Sequence, residues 1–394
     1  MKKILLLTIL LFTGICTFSQ TRQLSENSEI SLITIGPGSY LFDKFGHTAI
    51  RVKDDLGDKV YNYGVYDFNT PNFYTKFARG KLLYKLDTEP FPGFVRRYVA
   101  QNRTVTEQVF NLNSDQKQVF YNFLEENALP ENQEYLYDFF YDNCATKPRD
   151  VLKQVLGSDI QYDDSYLTEQ KTFRQLIRQN VDLNSWGSLG MDVAIGAVTD
   201  KKATPWEHQY LPQFVHEALA NTTIGQYGAT RPLVKNSQVL YTAKETPTSS
   251  NFFTSPLFIF GILGLLILFI TYKDAIKSRR NRILDGALFF ITGVIGVFLL
   301  LLWFATDHSA TANNYNLLWA MPLSLIATFG ILKKEPKKWI QKYVFFLLLL
   351  LVLMVIHWIT GVQSFAIGLI PLFIAMGVRY IYVFWYLKKI LARR

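Results

Sequence analysis

Two residues in this chain have types that could carry out covalent chemistry together, His47 and Cys144. Cys144 lies in the stretch YDNCATKP, and the one other cysteine, Cys16, lies within the first 19 residues. Residues 1–19 have the form of a secretory signal: Lys2 and Lys3, an apolar run from Ile4 to Phe12 too short to span a bilayer, and small residues at Thr17 and Ser19. Its removal would leave a single thiol in an oxidising compartment, where structural cysteines usually come in pairs. Such a thiol is either a small buried hydrophobe or a nucleophile.

The elements around the two residues favour the nucleophile. After Cys144 the segment ATKPRDVLKQVLG has Pro148 in an early turn, Val151, Leu152 and Val155 on one face, and Gly157 as a stop, so Cys144 is expected at a helix N-terminus. The partial positive charge there stabilises a thiolate, and its free N–H groups can receive an oxyanion. His47 heads HTAIRVKDDLGDKVYNYGVYDF, which alternates polar and apolar residues about a Leu56-Gly57 turn and predicts a hairpin. With a two-residue loop, position 47 faces 66, and residues 62, 64 and 66 share its side, so Asn62 or Tyr66 could orient the imidazole across Gly64. A loop of odd length would present Tyr61 and Tyr63 instead. Further on, Ser114 is expected to cap a helix that ends near Pro130.

Cysteine on a helix N-terminus with histidine on a facing strand is the geometry of papain-like enzymes. Here the histidine comes first, 97 residues before the cysteine, as in the permuted NlpC-type branch; the geometry matters and the order does not. The expected fold is α+β, a permuted papain-like (NlpC-type) domain over residues 20–250, with an all-α bundle of five transmembrane helices over 251–394.

The expected spans are 252–272, 283–304, 317–332, 343–362 and 364–387, each an apolar run of roughly spanning length, about 20 residues. From residue 249 onward there are 15 Lys plus Arg against 4 Asp plus Glu, whereas residues 20–248 carry 24 against 28. The basic balance therefore belongs to the membrane part and is no nucleic-acid footprint. Lys273 to Arg282, Lys333 to Lys338 and Lys388 to Arg394 fall at alternate ends of the spans. That pattern places the first domain outside and the C-terminus in the cytoplasm, with the bacterial inner membrane between.

Several segments in order resemble one family. YLFDKFGHTAIRV, YNYGVYDF, NRTVTEQVFNL and YDFFYDNCATKPRDVL are similar to the periplasmic domain of Lnb-type lipoprotein N-acyltransferases. GMDVAIGAVTDKKATPWEHQYLP from Gly190 and DHSATANNYNLLWAMP from Asp307 look like later motifs of that family. The resemblance implies Cys144 as nucleophile and His47 as base. It also implies transfer of an acyl chain from a phospholipid donor to the α-amine of a diacylglyceryl-cysteine lipoprotein, at a lipid bilayer. A membrane-anchored cell-wall amidase or endopeptidase of the NlpC type, or a non-enzymatic scaffold, are the alternatives that composition alone leaves open.

Among the remaining residues, Thr204 and Glu207 form a capping box with Pro205 first in its helix, which puts His208 on a helix surface; His216 is too far on to share a metal with it. His357 lies in an apolar span, where it is either functional or bonded between helices. His308, Asn314 and Asn316 lie at the outer membrane surface, on the side of Cys144, and either cap helix ends or contact a lipid headgroup or lipoprotein backbone. Tyr135 to Tyr141 has five aromatics in seven residues, suited to a core and to lipid contact. No set of His, Cys and Asp has metal-ligand spacing and no Gly-rich phosphate loop occurs, so no metal or cofactor is expected.

Overall fold

A computed structural model describes residues 22–226, 229–245 and 251–392. The expected leader and Cys16 lie outside the described residues.

The first part is built on a seven-stranded antiparallel sheet in the order β10-β5-β1-β2-β3-β4-β6. Its strands are β1 Glu29–Ile35, β2 His47–Asp54, β3 Gly57–Val65, β4 Leu83–Pro90, β5 Val105–Phe110, β6 Glu134–Leu136 and β10 Val234–Tyr241; β7 Ile160–Gln161, β8 Thr223–Gln226 and β9 Ala229–Pro232 form a small separate sheet. Period-two alternation gives the sheet two apolar faces. Ile30 and Leu32 of β1, Ile50 and Val52 of β2, and Tyr61 and Tyr63 of β3 pack with helices α3 (Ser114–Asn127) and α4 (Thr146–Leu156). Ile33, Ile35, Ala49, Val60 and Val105 face the other way, with Phe94 and Tyr98 of α2 (Phe91–Ala100). Each such large side chain, removed from water, contributes about 1.5–3 kcal/mol before entropy is charged against it. The short helix α1 (Phe73–Ala78) lies outside these layers, between β3 and β4.

Helix α3 starts one residue earlier than its expected cap implies. Asn113, not Ser114, is the cap: its side chain accepts from the Gln116 N–H while the Gln116 side chain accepts from the Asn113 N–H. Helix α4 starts where expected, buries Val151, Leu152 and Leu156, and stops at Gly157, whose φ is +54°.

After α4 the chain forms α5 (Phe173–Gln179), α6 (Trp186–Ala194), α7 (Pro205–His208) and α8 (Pro212–Asn221), and then enters the membrane part. Among the described residues, four helices there are long and apolar enough to cross a bilayer, where five were expected. They are α9 (Pro256–Ile276), α10 (Arg282–Phe304), α12 (Lys338–Ile359) and α13 (Ile370–Leu391). The stretch expected as the third span is broken: a 3-10 turn over Tyr315–Leu318, an irregular stretch containing Pro322, and an eight-residue helix α11 (Ser324–Ile331). Proline removes a helix donor and clashes with the preceding turn, which explains the interruption. The broken stretch still runs the length of α10: Asn316 bonds to α6 near the sheet domain, and the carbonyls of Ile331 and Lys333 accept from Arg280 at the far end.

Arg379 of α13 closes that far end. Its Nε donates to Asp285 at 2.7 Å, Nη1 to Asp274 at 2.9 Å and Nη2 to the Asn281 carbonyl at 3.2 Å, which joins α9, α10 and α13. A buried guanidinium is tolerable only when its donors are matched in this way.

Candidate active site

His47 is the first residue of β2 and Cys144 immediately precedes α4 in the chain by two residues. The structure brings the two elements together. Thr48, next to His47, donates through Oγ1 to the Cys144 carbonyl. From β3, Gly64 closes the third side: its φ is +90°, and a Cβ built on it would stand 3.2 Å from the Cβ of Cys144. Any side chain at 64 would therefore press on the cysteine from a backbone conformation that L-residues rarely adopt.

The hairpin turns one residue earlier than expected. Asp54 pairs with Gly57 and Ile50 with Tyr61, so the register carried back puts His47 level with Gly64 and not with Tyr66. A shift of two positions preserves the face, and Asn62 remains on the side of the imidazole. His47 Nε2 and Asn62 Oδ1 are 2.6 Å apart. Because an amide oxygen only accepts, Nε2 carries the proton and Nδ1 is left as the free base. Asn62 is buried, which fixes the ring through an acceptor that solvent does not replace. Tyr66 instead packs in an aromatic cluster with Phe68, Phe73 and Tyr84, and it is partly exposed.

Asn143 shapes the turn that presents Cys144. Its Oδ1 accepts from the N–H groups of Ala145 and Thr146 at 2.7 and 2.9 Å, and its own N–H donates to Thr146 Oγ1. Its Nδ2 donates to the carbonyls of Phe139 and Tyr210. The first helical N–H groups are thus consumed by a neutral amide, and the thiolate stabilisation expected from the helix end is largely spent. Burial pushes the Cys144 thiol up to about 11, against the N–H groups of Thr48 and of Cys144 itself and the charge of Arg103, all of which pull it down. Burial pushes His47 down to about 4; the bond to Asn62 opposes the fall, and the charges of Arg103 and Arg97 add to it. At neutral pH the pair rests as thiol and imidazole. The arrangement suits a histidine that takes the thiol proton as attack proceeds, rather than a preformed thiolate.

Sequence reasoning missed four residues here: Thr48, Arg103, Asn143 and Asp138. Asn143 carried a readable signal, a capping residue three positions before Thr146. The others depend on long-range pairing. Asp138 lies in the aromatic run before Cys144; it accepts from the N–H groups of Phe140 and Tyr141, and its Oδ2 accepts from Ser309 at 2.6 Å in the loop that follows α10. The turn that presents the cysteine is therefore tied to the membrane part.

The same loop accounts for three other candidates. His308 Nε2 donates to the Ala78 carbonyl at the end of α1, and the Asp307 N–H donates to the Arg79 carbonyl. Asn314 Nδ2 donates to the carbonyls of Val193 and Ala194, and Asn316 Nδ2 to those of Asp192 and Val193. Both asparagines are buried and terminate α6, so their polar atoms are spent on joining the two parts. Beside them Arg174 donates to Asp192 and Asp200, Arg178 donates to Asp192 and to the Phe365 carbonyl, and Asp200 accepts from the Ser364 N–H. His208 is not on a helix surface as expected; it is fully buried, donates to the Thr204 carbonyl and accepts from the Lys171 N–H. His357 donates to the Leu353 carbonyl of its own helix and packs on Tyr315. A cleft of about 590 Å³ beside α4 is lined by Tyr141, Arg149, Lys153, Trp206 and their neighbours, and Cys144 does not line it.

Comparison with known families gives two matches in sequence order. Residues 18–179 match the Lnb N-terminal periplasmic domain, and residues 247–390 match the Lnb transmembrane domain. No curated protein and no solved structure matches the chain.

Proposed function

A chain that carries both Lnb domains in order is a membrane protein of the Lnb type, and from that premise we propose that it is a cysteine-dependent lipoprotein N-acyltransferase. The observation that carries the reading is the meeting of Cys144, Thr48 and Gly64 beside an imidazole that Asn62 holds with Nδ1 free. Such a group can form and discharge an acyl-enzyme.

In the first half-reaction Cys144 Sγ attacks an ester carbonyl of a phospholipid while its proton passes to His47 Nδ1. The N–H groups of Cys144 and Thr48 lie close enough to the sulfur to lower its pKa, and they receive the oxyanion of the tetrahedral intermediate. The C–O bond breaks, and the His47 imidazolium protonates the leaving alkoxide, releasing a lysophospholipid and leaving a Cys144 thioester. In the second half-reaction the α-amine of a diacylglyceryl-cysteine lipoprotein attacks the thioester. His47 takes a proton from the amine, the C–S bond breaks, and the sulfur recovers a proton as the N-acyl amide departs. The sheet domain lies in the periplasm and the helices in the inner membrane, with the C-terminus cytoplasmic, as the Lys and Arg clusters direct.

The test is the thioester. Purified protein in phospholipid without an amine acceptor should gain a fatty-acyl mass on the peptide containing Cys144, labile to neutral hydroxylamine and absent in Cys144→Ala. Adding a diacylglyceryl lipopeptide should discharge it as an N-acylated product. Cleavage of muropeptides without any acyl adduct would replace this reading with an amidase.

A further inference from the structure

Arg103 is the charged group of the catalytic end that the mechanism above leaves without a task. It precedes β5, whose first residue Val105 pairs with Ile35 of β1, and Ile35 pairs on its other side with His47. Arg103 therefore rises from the same edge of the sheet as His47, two strands away, about 10 Å at ordinary strand spacing. Its guanidinium turns toward the site. It lies over the Tyr98 ring at 5.0 Å, and the Tyr98 ring lies 6.0 Å from that of His47.

The residue is only 3% exposed, and its donors are unequally used. Nε donates to the Gly36 carbonyl at 2.9 Å. Nη1 reaches Asp43 at 3.2 Å and Gln101 at 3.4 Å, both long for a charged donor. Nη2 is buried with no partner among the described residues. By contrast Arg174, buried to the same degree in the seam with the membrane part, directs Nε, Nη1 and Nη2 all to acceptors. An idle guanidinium nitrogen beside a catalytic pair costs stability, and that cost is recovered when an anion arrives.

We propose that Arg103 binds the phosphodiester of the acyl donor, with Asp43 as the internal anion that the phosphate displaces. This rests on the acyltransferase reading. A glycerophospholipid carries its phosphate on the same glycerol as its esters, so an ester carbonyl at Cys144 brings the phosphate to about the distance at which Arg103 stands. A guanidinium fork matches phosphate oxygens in pairs, which Asp43, bonded to a single nitrogen, does not achieve. Asp43 lies in the 36–46 segment that also presents exposed Tyr40, Leu41 and Phe42, and that segment leads directly into His47. Exchange of Asp43 for phosphate frees the Asp43 end of this segment while Gly36 stays bonded to Arg103 Nε, so donor binding and access to the catalytic pair are coupled.

The test compares two donors with identical acyl chains, phosphatidylglycerol and diacylglycerol, each presented to the full chain in mixed micelles, with Cys144 thioester formation followed by mass spectrometry. Wild type should favour the phospholipid. Arg103→Gln should lower the phospholipid rate about 10- to 100-fold more than the diacylglycerol rate, which shares only the loss of the Arg103 charge beside Cys144 and His47. Arg103→Lys should recover part of the loss, since it restores charge without the fork. Asp43→Asn should raise the phospholipid rate at limiting donor by about 2- to 5-fold, the effect of removing a weakly held competing anion. Equal losses with both donors in Arg103→Gln, or no donor preference in wild type, would overturn the inference and leave the acyltransferase reading intact. Absence of thioester from either donor in wild type would overturn that reading, and the inference with it.

Discussion

The proposed catalytic end and the seam between the two parts both bury ionisable groups, and they treat them in opposite ways. In the seam, Arg174, Asp192 and Asp200 are paired and interlocked, each guanidinium nitrogen of Arg174 meets an acceptor, and Arg178 adds a donor to Asp192 and to the Phe365 carbonyl. At the catalytic end, His47 and Cys144 are held neutral by burial, and Arg103 keeps a nitrogen free. Saturated partners make a joint, since moving any one group strands a charge. Unsaturated groups make a reagent, since the missing partner can be supplied by the reacting molecule.

The comparison breaks most plainly at His47. His47→Ala should slow thioester formation by something on the order of 10²- to 10⁴-fold and leave thermal unfolding nearly unchanged. A large loss of stability with little loss of rate would place His47 with the structural histidines such as His208. Arg174→Ala tests the opposite side. It should destabilise the full chain by about 3–5 kcal/mol in detergent, because Asp192 and Asp200 lose their shared partner. Thioester formation per folded molecule should change little, and a rate loss as large as that of His47→Ala would mean that the seam takes part in the chemistry.

The resting charge state gives a third test. His47 is lowered from 6.5 to about 4, so it stays neutral through the window in which an ordinary histidine would protonate. Acylation should therefore be flat from about pH 5 to pH 8 and fall only as the pH drops toward 4. In that same acid window the unfolded chain binds the proton first, so the stability contributed by neutral His47 is present above pH 6.5 and is lost as pH falls toward 4. The thiol is raised from 9.0 to about 11, so iodoacetamide alkylation of Cys144 should keep rising about tenfold per pH unit beyond 9. A plateau near neutrality would show a preformed thiolate. The smallest effect is expected at Tyr66, whose ring packs away from the imidazole: Tyr66→Phe should alter the acylation rate by less than about 2-fold, and a greater loss would return it to the site.

Local patterns carried the reading of the sequence where the structure depends on local rules. Pro148 and Gly157 marked the helix after Cys144, and strand alternation put Asn62 on the side of His47 even with the turn misplaced, because parity survives a shift of two. Arg103 was not legible, since only the pairing of β5 with β1 and of β1 with β2 brings it to the histidine. The segments beginning at Gly190 and Asp307 were legible as motifs but not in role. The asparagines of the second segment are spent on the backbone carbonyls of the first across the seam, Asn314 on Val193 and Ala194 and Asn316 on Asp192 and Val193. The broken third span escaped because apolar content measures solubility in lipid and not helical continuity, which Pro322 interrupts.

That broken stretch bears on how the chain is made. An eight-residue helix is about 12 Å long, less than half of a bilayer's hydrocarbon thickness, and the irregular backbone before it carries polar groups that lipid does not satisfy. It packs tightly on α10, where a Cβ on Gly296 would stand 2.1 Å from the Ala320 carbonyl oxygen, and on α12, where Ser324 bonds to Tyr343. The stretch cannot partition on its own as it leaves the ribosome. Its first partner, α10, precedes it in the chain, so the order of synthesis supplies a packing surface before the stretch emerges.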